Sequence, residues 1–480
     1  MKYETVIGLE VHVELSTDTK IFCACSAHSF GAAPNTHVCP YCLGMPGVLP
    51  RLNCKVVDYA IKAGLMLGCQ INRTSSFDRK SYFYPDLPNA YQITQYFSPI
   101  ATDGAVEIDT PCGKKSIRIQ QIHMEEDAGK LIHDIKEGLS HIDFNRAGVP
   151  LLEIVSRPDL SSADEVEAYL ERIKTLLRYA RVAECEMAHG TMRCDVNLSV
   201  RPAGSNTFGV RTELKNMNSV EAIKRAIEYE TARHIEALER GTEVLIGETR
   251  RWDEAKGITV SMRSKETAGD YRYAPDPNLG VLVADEEWIN TIRATLPEFP
   301  EVKRERYMCE YGLSSYDAEQ LTKSISLCDC FEGALAVCRS PKDAANWMTG
   351  EVMSLLNAKQ MTCDMLSVNS QKLGELILLV KDGKVGRANA KTILDAMFED
   401  ATISPEAYAT AHGFIISNDT EHIKAVVKAV VDADPKSVAD YQSGKEKALM
   451  FLFGKCMKEL KGNCTPQLLQ KILCDYVAKK

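Results

Sequence analysis

Three acids in a row, Glu125, Glu126 and Asp127, follow a histidine in the stretch Ile122-His123-Met124-Glu125-Glu126-Asp127-Ala128-Gly129-Lys130. Adjacent carboxylates repel one another, and a hard cation such as Mg²⁺, with phosphate nearby, offsets that cost. Taken alone, an acidic triplet reads more simply as a solvated turn. A second stretch shifts the balance. From Ile7 to Leu15 the chain alternates, apolar at Ile7, Leu9, Val11, Val13 and Leu15 and mostly polar between, at Glu10, His12 and Glu14. That is the period of a strand buried on one face, and it sets Glu10 and His12 on the same side. His123 and Glu125 repeat the spacing in reverse order. Two strands each carrying a carboxylate and an imidazole could hold a divalent ion, and phosphoryl transfer asks for positioning and charge neutralisation more than for any particular loop.

A second donor set is softer. Cys23-Ala24-Cys25 and Cys39-Pro40-Tyr41-Cys42 are two close pairs with 13 residues between them, a spacing that lets two knuckles converge on a tetrahedral ion. Thiolates select zinc, and a site of four sulfurs is closed, so it staples the chain rather than catalysing. The remaining thiols of the 17 in the chain read as reduced cysteines rather than a disulfide framework. Cys328, Cys330 and Cys338 cluster without a fourth ligand and read as core or surface residues.

A third stretch, Phe77 to Pro88, is a proline-broken loop in which Arg79 and Lys80 stand beside Tyr82, Phe83 and Tyr84. Cations among aromatics suit a nucleotide or an unpaired nucleic-acid end, and equally a packed surface loop. Familiar nucleotide motifs are incomplete. Gly386 to Thr392 ends in Lys-Thr but lacks the second glycine of a phosphate loop, and no dinucleotide fingerprint, zinc-protease helix or nucleophile elbow is found.

The elements that must position these residues are legible. Arg193 to Arg201 alternates, with Cys194, Val196, Leu198 and Val200 on one face and Arg193, Asp195 and Asn197 on the other; in Val210 to Lys215 the polar face is Arg211, Glu213 and Lys215. Several such strands predict an antiparallel sheet, its apolar side packed on helices and its polar side lining a basin. Helical spacing over Asn53 to Gly68, a capping box at Ser162 and Glu165, and a long segment opened by Ser219 and closed by Gly241 predict three packing helices. Turns rich in Arg and Glu follow, including Met262 to Glu266 and Asp270 to Tyr273, and from about Pro297 helical periodicity takes over. The expected fold class is α+β: a sheet cradle with packing helices over 1–293, an all-α domain over 294–404 and a small all-α tail over 405–480. The tail carries 11 basic and 9 acidic residues, against a whole-chain charge of −9 over 480 residues. Within it Lys447, Lys455, Lys458 and Lys461 would share one helix face. The net charge argues against a general polyanion binder, and with no apolar run of membrane length and no leader before Ile7 a cytoplasmic protein is expected.

These motifs carry a resemblance. Glu10-Val11-His12, Cys39 to Gly47, Asp78-Arg79-Lys80 with Tyr82 to Pro88, His123 to Lys130 and Asn145 to Pro150 resemble the B subunit family of tRNA-dependent glutamyl/aspartyl-tRNA amidotransferases. The likeness continues through Arg193-Cys194-Asp195, Glu213 to Asn216 and Asp270 to Tyr273 to Gly444-Lys445, essentially the whole chain. It implies that ATP phosphorylates the side-chain carboxylate of Glu or Asp on a mischarged tRNA and that ammonia then displaces phosphate. The family takes its ammonia from a separate amidase subunit through a channel, with a small third subunit bracing the pair. Carried over residue by residue, Glu10, His12 and Glu125 match the catalytic Mg²⁺ site, with Glu126 and Glu213 as further candidates. Arg79 and Lys80 become phosphate or tRNA-end contacts, His123 a donor to the acyl phosphate or a core histidine, and Lys445, Lys447, Lys455 and Lys458 a tRNA-facing surface. Where the family commonly reads Tyr-Phe-Pro-Glu-Pro-Asp, this chain has Tyr273-Ala274-Pro275-Asp276-Pro277-Asn278.

Overall fold

The computed structural model describes residues 2–134, 138–264, 271–416, 420–442, 445–460 and 464–478, so Lys265, Glu266, Asp270, Gly444 and Lys461 lie outside the described residues. The alternation from Ile7 folds as strand β1 (Tyr3–Glu14), in which Ile7, Leu9, Val11 and Val13 are each at most 1% exposed. It is followed by β2 (Gln70–Ile71), β3 (Thr74–Ser75), β4 (Asp78–Ser81), β5 (Tyr91–Thr94), β6 (Ala101–Thr110) and β7 (Gly113–Glu126). Next come β8 (Lys130–Asp134), β9 (Leu139–Asp143), β10 (Pro150–Ser156), β11 (Met192–Pro202) and β12 (Thr212–Lys215). The last are β13 (Glu248–Asp253), β14 (Ile258–Ser264), β15 (Ala274–Pro275) and β16 (Leu282–Val283).

Nine strands form one sheet in the order β14-β13-β12-β11-β1-β10-β7-β6-β2. β1 is central, antiparallel to β11 on one side and to β10 on the other. Three helices, α1 (Cys54–Met66), α2 (Ala163–Tyr179) and α3 (Val220–Arg240), cover the apolar face, with α1 on β7, α2 on β6 and α3 on β11. Each Ile, Leu or Val buried there contributes on the order of 1.5–3 kcal/mol. The helix ends follow the chain's own signals. The Asn53 side chain accepts from Lys55 N–H at 2.9 Å, and Gly68 takes the left-handed φ of +69° that ends the turn. Ser162 caps α2 by accepting from Glu165 N–H at 3.2 Å, but the Glu165 carboxylate reaches back to Ser161 N–H at 2.7 Å, one residue earlier than a reciprocal capping box requires.

One pairing departs from the antiparallel expectation. β12 and β13 run parallel, because α3 lies between them in the chain and supplies the crossover that a parallel neighbour needs. The chain divides into two compact units, Met1–Glu298 and Phe299–Lys480. In the second, helices Ile325–Cys338 and Ser370–Lys381 approach through small residues: a Cβ on Gly374 would lie 2.6 Å from the Ala334 carbonyl oxygen. Cys328, Cys330 and Cys338 are buried in that packing. Toward the end of the chain, residues from Ile423 to Val477 share an apolar cluster of their own. Among the described residues no helix is long and apolar enough to cross a membrane.

Candidate functional site

The register of the sheet brings the predicted residues onto its polar face and adds one that was not predicted. His12 on β1 lies opposite Glu153 on β10, and Glu153 lies opposite His123 on β7, so two imidazoles flank one carboxylate. His12 Nε2 stands 3.5 Å from Glu153 and 3.6 Å from Glu125, two residues along β7 from His123. One donor atom each from His12, Glu125 and Glu153 lies within 4.8 Å of the others. On the other side of β1, Glu10 faces Asp195 on β11 and Asn197 faces Glu213 on β12. Glu10, Asp195 and Glu213 form a second group with the same spacing. The single expected set of Glu10, His12 and Glu125 is thus divided between two neighbouring groups, because the acid opposite His12 is Glu153 on β10, with Arg193 on its other side, whereas the acid opposite Glu10 is Asp195 on β11, with Val155 on its other side.

The charges in these groups are crowded. Burial, then repulsion from Glu153, pushes the Glu10 carboxyl above its ordinary value, against an amide hydrogen bond from Asn197 at 2.9 Å. The Lys215 ammonium pairs with Asp195 and, at 3.0 Å, with Glu213. His123 Nδ1 meets the Gln95 carbonyl at 3.0 Å; a carbonyl only accepts, so this nitrogen carries a proton. Its Nε2 is 2.7 Å from Glu153, and although burial opposes charge on the ring, the carboxylate outweighs it and pushes the imidazole up to about 9. Glu153 is held well below the usual carboxylate range against its burial by His123 and His12. His123 thus stands against Glu153 as an ion-pair partner, while its buried Nε2 makes no hydrogen bond of good geometry among the described residues. In an octahedral Mg²⁺ shell with bonds of about 2.1 Å, neighbouring ligands stand about 3.0 Å apart and opposite ones about 4.2 Å. His12 lies 3.5 and 3.6 Å from its two carboxylates, between those two values, and carboxylates with a single imidazole are the donors of a hard ion.

Other expected residues sit elsewhere. Glu126 joins neither group: consecutive strand residues point to opposite faces, and its Oε1 accepts from Ile93 N–H at 3.0 Å. Burial pushes this carboxyl up to about 8, in the wall of a small cavity with Tyr41 and Leu87. Arg79 is committed to structure, with Nε 2.7 Å from Asp276 and the guanidinium 4.2 Å from the Tyr91 ring centroid. That gives the divergent segment a role, since Asp276 also accepts from Asn278 N–H at 2.8 Å and Ala274 pairs with Arg79. Lys80 lies over the Tyr271 ring at 5.0 Å; burial disfavours its charge, but Glu125 and Glu153 more than restore it. The sulfurs of Cys23, Cys25, Cys39 and Cys42 converge, with Cys42 Sγ 3.4 Å from Cys23 Sγ and 3.7 Å from Cys39 Sγ. A tetrahedral ion with Zn–S bonds of about 2.3 Å spaces its sulfurs about 3.8 Å apart, so the four thiols fit a metal. In the tail, Lys445 pairs with Asp440 at 2.8 Å and Lys455 with Asp434 at 2.7 Å, while Lys447 and Lys458 are exposed.

Glu153 and Asp195 were absent from the predicted site. Asp195 was legible as part of a polar face. Glu153 carried one signal, a lone acid inside Leu151-Leu152-Glu153-Ile154-Val155.

A nine-stranded sheet with helices on one face and two groups of converging carboxylates on the other, of a kind that could hold divalent cations, defines an α+β protein built around an acidic basin. The family model described as the GatB/GatE catalytic domain matches residues 5–290, and the one described as the GatB domain matches residues 329–477. The B subunit of the aspartyl/glutamyl-tRNA(Asn/Gln) amidotransferase of Caldicellulosiruptor saccharolyticus is 50% identical over 482 residues, covering 100% of both chains. The proteins of that name from Caldanaerobacter subterraneus subsp. tengcongensis and Clostridium tetani are 49% and 48% identical, again covering 100% of each chain. The chain belongs to the family of amidotransferase B subunits.

Proposed function

We propose that this chain activates and amidates the side-chain carboxylate of Glu on tRNA(Gln), Asp on tRNA(Asn), or both, as a ligase that consumes ATP. The observation that carries this reading is the pair of donor groups, His12, Glu125 and Glu153 beside Glu10, Asp195 and Glu213, on one polar sheet face. A carboxylate oxygen of the substrate attacks the terminal phosphorus of ATP, forming one P–O bond as the bond to ADP breaks. The lone pair of ammonia then adds to the acyl carbon, the C–O bond to phosphate breaks, and a proton leaves the nitrogen. Bound Mg²⁺ would neutralise charge on the phosphates. His12, Glu125 and Glu153 would hold one ion and Glu10, Asp195 and Glu213 a second, with His123 fixing the Glu153 carboxylate and Lys80 offering a cation to the anionic substrate.

The rest of the reading extends from the family. A partner amidase subunit supplies ammonia and a small third subunit braces it, in a cytoplasmic heterotrimer. The tail, with Lys447 and Lys458 outward, contacts the tRNA body. Zinc at the four cysteines is structural, and the chain works as three domains, 1–293, 294–404 and 405–480, a division supported at its end by the separate apolar cluster from Ile423 to Val477.

The test supplies the chain with ATP, Mg²⁺, an ammonium salt and Glu-tRNA(Gln), and follows conversion of the esterified amino acid to its amide. Conversion that needs both ATP and charged tRNA is expected. Activity restored only on adding the two partner subunits would make the mechanism a property of the assembly. Bound tRNA with no conversion in either case would overturn the reading in favour of an RNA-binding scaffold.

A further inference from the structure

Lys20 is completely buried, at 0% exposure, which is rare for an ammonium group without a counter-charge. Its Nζ donates to the His37 carbonyl at 2.9 Å and the Phe144 carbonyl at 3.3 Å, and its third contact is the Cys42 sulfur at 3.5 Å. Among the described residues these contacts include no carboxylate. The sulfur is therefore the one partner there that can carry formal negative charge. Four thiolates around a divalent ion leave a net charge of −2 in a site where Cys42 is itself buried, and desolvating such a charge is costly unless a cation is close.

We propose that Lys20 is the counter-cation of the four-sulfur site: its ammonium donates to the Cys42 sulfur, offsets part of the charge the thiolates leave around the metal, and so sets how tightly the metal is kept. The inference rests on the proposed zinc occupancy of the four cysteines. The same side chain ties the knuckle to the turn before β10. Its stem packs under Gly148, where a Cβ would meet Lys20 Cδ at 3.5 Å, and Ile21 N–H donates to the Gly148 carbonyl at 3.0 Å. Asn145 closes the seam, accepting from His37 N–H at 2.8 Å and donating to the Ala33 carbonyl at 2.7 Å. Arg146 in that turn lies 3.4 Å from Asp127, just past the end of β7. Lys20 is thus a positioning residue, joining the metal knuckle to the rim of the carboxylate basin.

A pin for two backbone carbonyls would need no metal, and zinc retention separates the two roles. The full-length chain, its Lys20→Met and its Lys20→Arg variants are each titrated with a chromophoric zinc chelator. Methionine keeps the apolar stem and loses the charge; arginine keeps the charge in a worse fit. Zinc affinity is expected to fall about 10–100-fold in Lys20→Met, the usual range for losing a supporting contact around a metal, and to fall less in Lys20→Arg. Equal affinity in all three would overturn the assignment, as would a loss in Lys20→Arg as large as that in Lys20→Met. A wild-type chain that holds no zinc would instead sink the zinc reading itself. If neither variant folds, wild-type chain loaded with ¹¹³Cd decides: scalar coupling from cadmium through the Cys42 sulfur to the Lys20 Nζ protons is expected, and its absence would reject the contact.

Discussion

Glu153 shows what a residue does when its surroundings are set by strands far away in sequence. It pairs with His123 at 2.7 Å and faces His12 at 3.5 Å, yet its chain neighbours are all apolar. Glu10, His12 and Glu125 were legible because each sits in a local alternation or an acidic run. Glu153 was not, because its role arises only when β10 is inserted between β1 and β7, a pairing no local pattern encodes. Arg79 shows the same limit: beside aromatics it suggested a phosphate contact, and the structure adds a partner that no local pattern announced, the distant acid Asp276. If Glu153 is a ligand, Glu153→Gln should raise the Mg²⁺ concentration needed for amide formation by on the order of 10–100-fold, leaving tRNA binding intact. Glu10→Ala, in the second group, should abolish amide formation with tRNA still bound. Unchanged Mg²⁺ dependence in the first, or an active enzyme in the second, would remove that residue from the cation site.

At the scale of elements, caps and periodicity predicted α1, α2 and α3 closely, since Asn53, Ser162, Ser219 and Gly241 act within one turn of themselves. The parallel alignment of β12 with β13 was not legible, because handing the chain back across α3 is a tertiary event. That junction is fastened by Glu230 on α3, fully buried, which accepts from Thr259 at 2.7 Å and from Arg233 Nε at 3.1 Å. Burial would raise this carboxyl, but bonds from His234 and Arg233 outweigh it and hold it down at about 2, against an ordinary value of 4.5. Between those values the unfolded chain binds the proton and the native state does not. The stabilisation is therefore present above about pH 4.5 and is lost as pH falls toward 2, up to about 3 kcal/mol in all. Urea unfolding at pH 5 and pH 3.5 should show wild type losing more stability on acidification than Glu230→Gln, and parallel losses would deny the network this role. A second contact tests the seam between α1 and β6. A Cβ on Gly104 would fall 2.2 Å from Cys69 Sγ and 2.8 Å from the Leu67 carbonyl oxygen. Gly104→Ala should therefore destabilise by about 1–3 kcal/mol in the same assay, and a neutral result would mean the seam yields.

The whole molecule carries a charge of −9, so long-range attraction to a polyanion such as tRNA is not available to it and any contact must be made by a local surface. The tail lysines do not contribute equally to one. Lys445 and Lys455 already pair with Asp440 and Asp434, so each carboxylate must be given up or compensated before the ammonium can meet a phosphate. Lys447 and Lys458 stand exposed on the helix Glu446–Glu459, about 20° apart in projection when each residue turns by about 100°. A phosphate backbone bound along that face releases counterions in proportion to the ammonium groups it meets, so the logarithm of the affinity falls with the logarithm of salt concentration. Replacing Lys447 and Lys458 together by alanine should weaken tRNA binding and flatten that salt dependence by about 1–2 in slope, whereas the same pair of changes at Lys445 and Lys455 should flatten it less. Binding measured at several salt concentrations separates the cases. Equal slopes for wild type and the Lys447/Lys458 variant would place the tRNA on another surface, and a larger effect at Lys445 and Lys455 would mean that their ion pairs open on binding.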